Sequence, residues 1–168
     1  MPYATPFAFV QRYGADEAAQ VLADGLGVLT PELLLAAIAG AWPADVTAED
    51  QAIANAALAR LTHELEINSA YMDGYLRSAC SLPLSGADAN AGTLESCCLR
   101  LTRSSLASDG TGATERTDKQ AEAQRAWLRD VASGRVQLIG ANGEAIAPNT
   151  SIKTGRANSA YDWGRQPL

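Results

Sequence analysis

One segment limits what this chain can fold into. Between Thr47 and Pro83, apolar side chains recur at Leu58, Leu61, Leu65, Met72, Leu76 and Ala79, in steps of three and four broken only across Asn68. The other face carries Glu64, Glu66, Asp73 and Arg77. Val46-Thr47-Ala48-Glu49-Asp50 supplies a cap with acidic residues in the first turn, where they meet the positive end of the helix dipole. Pro83 cannot continue a helix and pushes Leu82 toward extended geometry. The spacing therefore predicts one helix from Ala48 to about Ala79, long enough to act as the spine of a bundle or of a stacked ring. A helix with one apolar face has to lie on something, either its own fold or a neighbouring copy. Asn68 reads as a partly solvated position or as a polar register-setter at a helix contact. Gly74 costs ~1 kcal/mol relative to alanine and permits close approach or a bend.

Shorter helices are expected on either side. Thr5-Pro6 and Thr30-Pro31 are opening signals, a capping hydroxyl followed by a proline whose missing N–H is harmless there. The first predicts a short helix closed by Gly14, followed by a second over Ala15–Ala23 and a loop at Asp24–Gly27. The helix after Thr30, closed by Gly40 and Pro43, is apolar almost all round and is expected to be buried. Thr93 is read as the cap of a helix carrying Leu94, Cys97, Cys98, Leu101 and Leu106, after a small-residue loop over Ser85–Gly92. Thr117 with Gln120 resembles a capping box, opening a helix with Ala121, Trp127, Leu128 and Val131 inward and ending at Gly134. Ser108–Thr114 is a second loop, and Val136–Ile139 a short strand or extended arm. From Gly140 onward periodicity vanishes. The fold expected is mainly α, a small helical bundle with one long spine helix and an extended C-terminal arm, with residues 1–139 as the helical domain and 140–168 as the arm.

Composition matters here because the core is thinly supplied. The 168 residues are 47% apolar, yet the chain holds only 19 Leu, 6 Val, 6 Ile and 2 Phe, about a fifth of its length. Close packing through alanine, or burial against partner subunits, is then expected to complete it. A net charge of −6, with 11 Arg and 2 Lys scattered along the chain, argues against a nucleic-acid surface. The preference for Arg over Lys fits protein interfaces, and equally a GC-rich genome. The longest apolar run, Leu33–Trp42, is too short to span a membrane, and the N-terminus lacks the basic start of a signal peptide.

Chemistry-bearing motifs are sparse. His63 is the single histidine, so no second imidazole can build a metal site with it. Cys80, Cys97 and Cys98 fit neither a disulfide framework nor zinc-ligand spacing, and read as reduced, partly buried thiols in a cytosolic compartment. Neighbouring Cys97 and Cys98 point to different sides of a helix. Gly25-x-Gly27 and Gly110-x-Gly112 are too short for a dinucleotide fingerprint. No catalytic, metal or cofactor site is expected.

Three stretches carry a resemblance: Tyr3-Ala4-Thr5-Pro6 with Phe9-Val10-Gln11-Arg12-Tyr13-Gly14; Ala70-Tyr71-Met72-Asp73-Gly74-Tyr75-Leu76 running into Ser81-Leu82-Pro83-Leu84; and Ala126-Trp127-Leu128-Arg129-Asp130-Val131-Ala132-Ser133-Gly134-Arg135-Val136-Gln137-Leu138. In this order the chain resembles the phage Mu-type head-tail adaptor family over roughly residues 3 to 139, with extra sequence around Gly40–Asp50. The resemblance implies a structural, non-enzymatic virion protein, assembled in the bacterial host cytoplasm. It implies a homo-oligomeric ring of twelve below the portal protein, in the neck between capsid and tail. A next neck or tail-completion protein would dock on this ring, and genomic DNA would pass through the lumen without specific binding. An acidic ring suits that passage, because it repels phosphate. The arm residues expected to contact the portal or an adjacent subunit are Ile152, Arg156, Tyr161, Trp163 and Arg165, aromatic anchors flanked by arginine. Two other readings stand beside this one: a small cytosolic enzyme using Cys97 or Cys98 with His63, and an α-helical regulatory or interaction protein.

Overall fold

The computed structural model describes residues 2–23, 28–89, 92–108 and 115–146. Among the described residues, seven helices follow in order: α1 (Pro6–Tyr13), α2 (Ala15–Leu22), α3 (Pro31–Ala39), α4 (Ala48–Ala79), α5 (Gly86–Ala89), α6 (Gly92–Ser108) and α7 (Glu115–Ala132). The fold is mainly α, a small helical protein built on one long helix. The expected loops at 24–27 and 109–114, and the chain from 147 onward, lie outside the described residues.

Local chemistry explains where most helices begin. Thr5 and Thr30 accept the Ala8 and Leu33 amides at 3.1 and 3.3 Å, each just ahead of its proline. Thr47 and Asp50 close a full capping box at the start of α4: the Asp50 amide donates to the Thr47 hydroxyl at 3.1 Å and the Thr47 amide donates back to the Asp50 carboxylate. Gly14 serves both α1 and α2, its amide closing on the Val10 carbonyl at a φ of +87°. Gly40 ends α3 in the left-handed conformation, where the absence of a Cβ removes the steric cost.

α4 runs along the molecule as the common partner, packing against α1, α2, α3, α6 and α7, while α6 and α7 also pack on each other. Its buried stripe is Ala54, Ala57, Leu61, Leu65, Asn68, Ser69, Met72 and Leu76. Around it, one contiguous core takes Phe9 from α1, Leu22 from α2, Leu34 from α3, Leu101 and Leu106 from α6, and Leu128 and Val131 from α7. Of the 27 buried apolar residues among those described, eight are alanine and three are cysteine. Small side chains let the helices approach closely, and the core closes within the chain despite the short supply of large ones.

Six local expectations need correction, the first being the loop over Ser85–Gly92, which holds the short helix α5. α3 is not buried all round: Leu34 and Ala37 face inward, while Leu35 is exposed, because one side of α3 lies on α2 and α4 and the other on nothing described. α6 begins at Gly92, so Thr93 lies inside its first turn. α7 begins at Glu115, and Thr117 is buried within the first turn, where it cannot act as a cap. Asn68 is buried, its amide donating to the Glu64 carbonyl one turn back at 2.8 Å, which satisfies a polar group inside the stripe. Gly74 is exposed, with nothing within 4 Å of where a Cβ would stand, so no close approach explains it.

After α7 the chain turns at Gly134, and Leu138 and Ile146 then face each other as a short hairpin. The Ile146 amide donates to the Leu138 carbonyl and the Gly140 amide to the Glu144 carbonyl, both at 2.8 Å. A single antiparallel bridge, Ile139 with Ala145, is the extent of β structure there. Leu138 is buried and Ile146 packs on the core, so residues 140–146 lie back against the bundle.

Candidate functional surface

The three stretches that carry the resemblance are far apart in sequence, yet they converge on the second half of α4. From the N-terminal stretch, the Tyr3 amide donates to Ser69 Oγ at 3.0 Å and the Tyr3 hydroxyl donates to the Asp73 carboxylate. Ser69 in turn donates to the Leu65 carbonyl at 2.7 Å, so the residue that receives the N-terminus is itself held on the helix. Burial, and then the hydrogen bond to Asp73, push the Tyr3 phenol far above its usual pKa and keep it protonated. From the third stretch, the Ala132 carbonyl accepts the Ser78 hydroxyl at 3.2 Å. Arg125 and Arg129 of α7 stand close enough to Tyr71 to act on its ionisation.

The middle stretch therefore has both flanks occupied. On one flank, Tyr71 and Tyr75 stack edge to face at 5.2 Å with their hydroxyls 3.0 Å apart, and the hydrogen bond between them raises the Tyr71 pKa. Together with Lys119, Glu122, Arg125 and Arg129 of α7 they line an open groove of about 590 Å³. On the other flank, Glu66, Ala70 and Asp73 border a shallow depression beside Pro2. At the far end of α4, a cleft of about 420 Å³ lies among Ala79, Cys80, Val131, Val136, Leu138 and Ile146.

A second polar tie holds α1, α2 and α6 together away from this surface. Arg103 of α6 pairs with Glu17 of α2 at 2.5 Å while its guanidinium lies 5.0 Å from the centre of the Tyr13 ring, which itself packs edge-on against Phe9.

The thiols are set inside the fold. Cys97 and Cys98 are fully buried, and burial pushes the Cys97 thiol up to about 12 and the Cys98 thiol in the same direction. Cys80 is also buried and raised, its Sγ donating to the Leu76 carbonyl at 3.4 Å. A thiol so raised carries almost no thiolate at neutral pH. His63 is exposed on α4. Among the described residues, no group of three or more His, Cys, Asp and Glu could hold a metal ion, and no helix is long and apolar enough to cross a membrane.

The arm residues singled out from the sequence, Ile152, Arg156, Tyr161, Trp163 and Arg165, lie outside the described residues. The groove residues were missed. Their signal was an i, i+4 tyrosine pair lying off the apolar stripe and an i, i+4 arginine pair on the polar side of another helix. The Tyr3–Asp73 link had no local signal, since 70 positions separate its partners.

A family model described as Bacteriophage Mu, Gp36 matches residues 3–155, a span containing all three converging stretches. No curated protein and no solved structure matches the chain.

Proposed function

Since this chain belongs to the bacteriophage Mu Gp36 family, we propose that it is a structural virion protein, a non-enzymatic head-tail adaptor that forms a ring below the portal and links capsid to tail. The observation that carries this reading is the convergence of the family-matched stretches on the second half of α4. Tyr3, Ser69 and Asp73 fix the N-terminus on α4, and Ser78 with the Ala132 carbonyl ties α4 to the end of α7. A protein that serves as a joint needs such a fixed face. Reacting groups gathered in a pocket are what an enzyme would need instead.

Charge is in keeping with the same role. A ring built from copies of net charge −6 presents a surface that DNA slides past, since phosphate binding requires clustered cations. The portal on one side and the next neck or tail-completion protein on the other are the partners in this reading, with Ile152, Arg156, Tyr161, Trp163 and Arg165 engaging the portal or a neighbouring subunit.

Deleting the gene from the encoding phage or prophage tests the proposal. The expected result is DNA-filled heads and free tails accumulating separately, with joining restored when the protein is supplied in trans. Complete, infectious particles formed without the chain would overturn it, as would its absence from purified virions.

A further inference from the structure

From the two flanks of α4 we infer that neighbouring copies associate head to tail, the Tyr71–Tyr75 groove of one copy receiving the Glu66–Asp73 flank of the next. The inference rests on the ring reading above and deepens it by naming the two faces that meet. Residues on a helix advance by about 100° per position, so Glu66 and Asp73 lie roughly 140–160° around α4 from Tyr71. The two faces thus look in nearly opposite directions from one rigid rod, which is the arrangement a heterologous contact requires.

The groove has the composition of an interface centre. Tyr71 is 40% exposed, and Ile67, one turn earlier on the same flank, is 47% exposed. Around these apolar surfaces stand Arg125, Arg129 and Lys119, the last paired with Glu115 at 2.6 Å, and Glu122 is the opposing charge in the lining itself. Aromatic and arginine side chains are the types most enriched where binding energy concentrates. Across the helix, the depression is floored by Ala70 and bordered by two carboxylates, Glu66 and Asp73.

Charge complementarity selects the occupant. A chain of net charge −6 that gathers three cations around two tyrosines, and carries carboxylates on the reverse of the same helix, is complementary to its own copy. Groove-to-groove pairing would set arginines against arginines. Head-to-tail pairing sets them against Glu66 and Asp73, and leaves both faces available on every copy for the next.

Introduced cysteines read the contact in assembled particles, where the native thiols are buried and do not compete. With Glu66→Cys and Arg125→Cys together, a short bismaleimide is expected to yield a ladder of dimers, trimers and higher species. Either substitution alone should give monomer. A dimer from a single substitution would overturn the head-to-tail arrangement. The absence of any ladder in particles holding several copies would overturn this surface while leaving the ring in place, and one copy per particle would overturn the ring reading itself. Charge exchange gives an independent measurement. Arg125→Glu with Arg129→Glu, or Glu66→Lys, should each lower incorporation at least tenfold with helical content unchanged. Co-expression of the two variants should restore incorporation, because each mutated face then meets its complement; incorporation of each alone at the level of the unaltered chain would sink the assignment.

Discussion

Two adjacent cysteines on one helix would ordinarily point about 100° apart, with one of them facing solvent. Here both are fully buried, because α6 is held between α4 on one side and α2 and α7 on others. Core packing was the expected role of both thiols, as small apolar residues; that neither is left partly exposed was not legible, because periodicity reports one face and says nothing of how many neighbours a helix has. The consequence is measurable in alkali. Burial raises the Cys97 thiol from 9.0 to about 12, so the folded state favours the protonated thiol. The stability this contributes is complete below pH 9 and is lost as pH rises toward 12, where the unfolded chain alone releases its proton. Cys98, Cys80 and Tyr3 shift in the same direction and add to the slope. Urea midpoints measured between pH 8 and 11 should fall steadily, and a Cys97→Ala variant, though less stable at neutral pH, should fall less steeply. Tyr3 offers a second test. Its hydroxyl donates to the half-buried Asp73 carboxylate, and replacing Tyr3 by Phe leaves that acceptor without its donor. Hydrogen bonds to charged groups contribute ~1.5–3 kcal/mol, and partial exposure of Asp73 places the expected loss at the lower end, about 1–2 kcal/mol by urea unfolding.

Helix ends were legible where capping chemistry is contained within a few residues. Thr5-Pro6, Thr30-Pro31 and the Thr47–Asp50 box each opened the helix they were expected to open, and α4 ends at Ala79 where Pro83 required it to stop soon after. Thr93 and Thr117 misled for one shared reason: a threonine followed by apolar spacing looks the same whether it caps a helix or lies in its first turn, and Thr117 is there to be buried. The hairpin after α7 was not legible as such, because what holds it comes from 50 residues away. Asp88 accepts the Ser85 hydroxyl at 2.7 Å and the Ala141 amide at 3.0 Å, and these bonds hold its carboxyl below the usual carboxylate pKa. A depressed carboxylate contributes above its unfolded pKa and loses that contribution as pH falls through the folded one, so the hairpin should loosen in acid ahead of the helices. Gly140 is where the two segments touch, since a Cβ there would meet Asp88 Oδ1 at 2.5 Å. Gly140→Ala should therefore displace the Asp88 contact and speed amide exchange at Ile146, whose N–H bonds to Leu138, while exchange in the middle of α4 stays as it was. Equal protection at Ile146 in both proteins would show that the Asp88 contact does not hold the hairpin.

At the scale of the molecule, counting leucine, isoleucine, valine and phenylalanine underestimated the core. A bundle whose helices meet through Ala18, Ala19, Ala54, Ala57 and Ala121 needs fewer large side chains, since close approach substitutes backbone contact for side-chain volume. Pattern alone could not distinguish this from burial against a partner, because an inward alanine looks the same in either case. The distinction carries a prediction about the last part of the chain. Among the described residues the contiguous core already runs from Tyr3 to Ile146. Deleting residues 151–168 should leave helical content unchanged and the thermal midpoint within about 2 °C, a shift equivalent to about 0.5–1 kcal/mol. If Ile152, Arg156, Tyr161, Trp163 and Arg165 make the portal contact, the same deletion should abolish incorporation into particles, because aromatic and arginine anchors concentrate binding energy in few side chains. Restoring the segment with Tyr161→Ala and Trp163→Ala should leave the fold as it was and still fail to recover incorporation. A truncated chain that unfolds many degrees lower would assign those residues to the core, and one that still joins heads to tails would remove the arm from the joint.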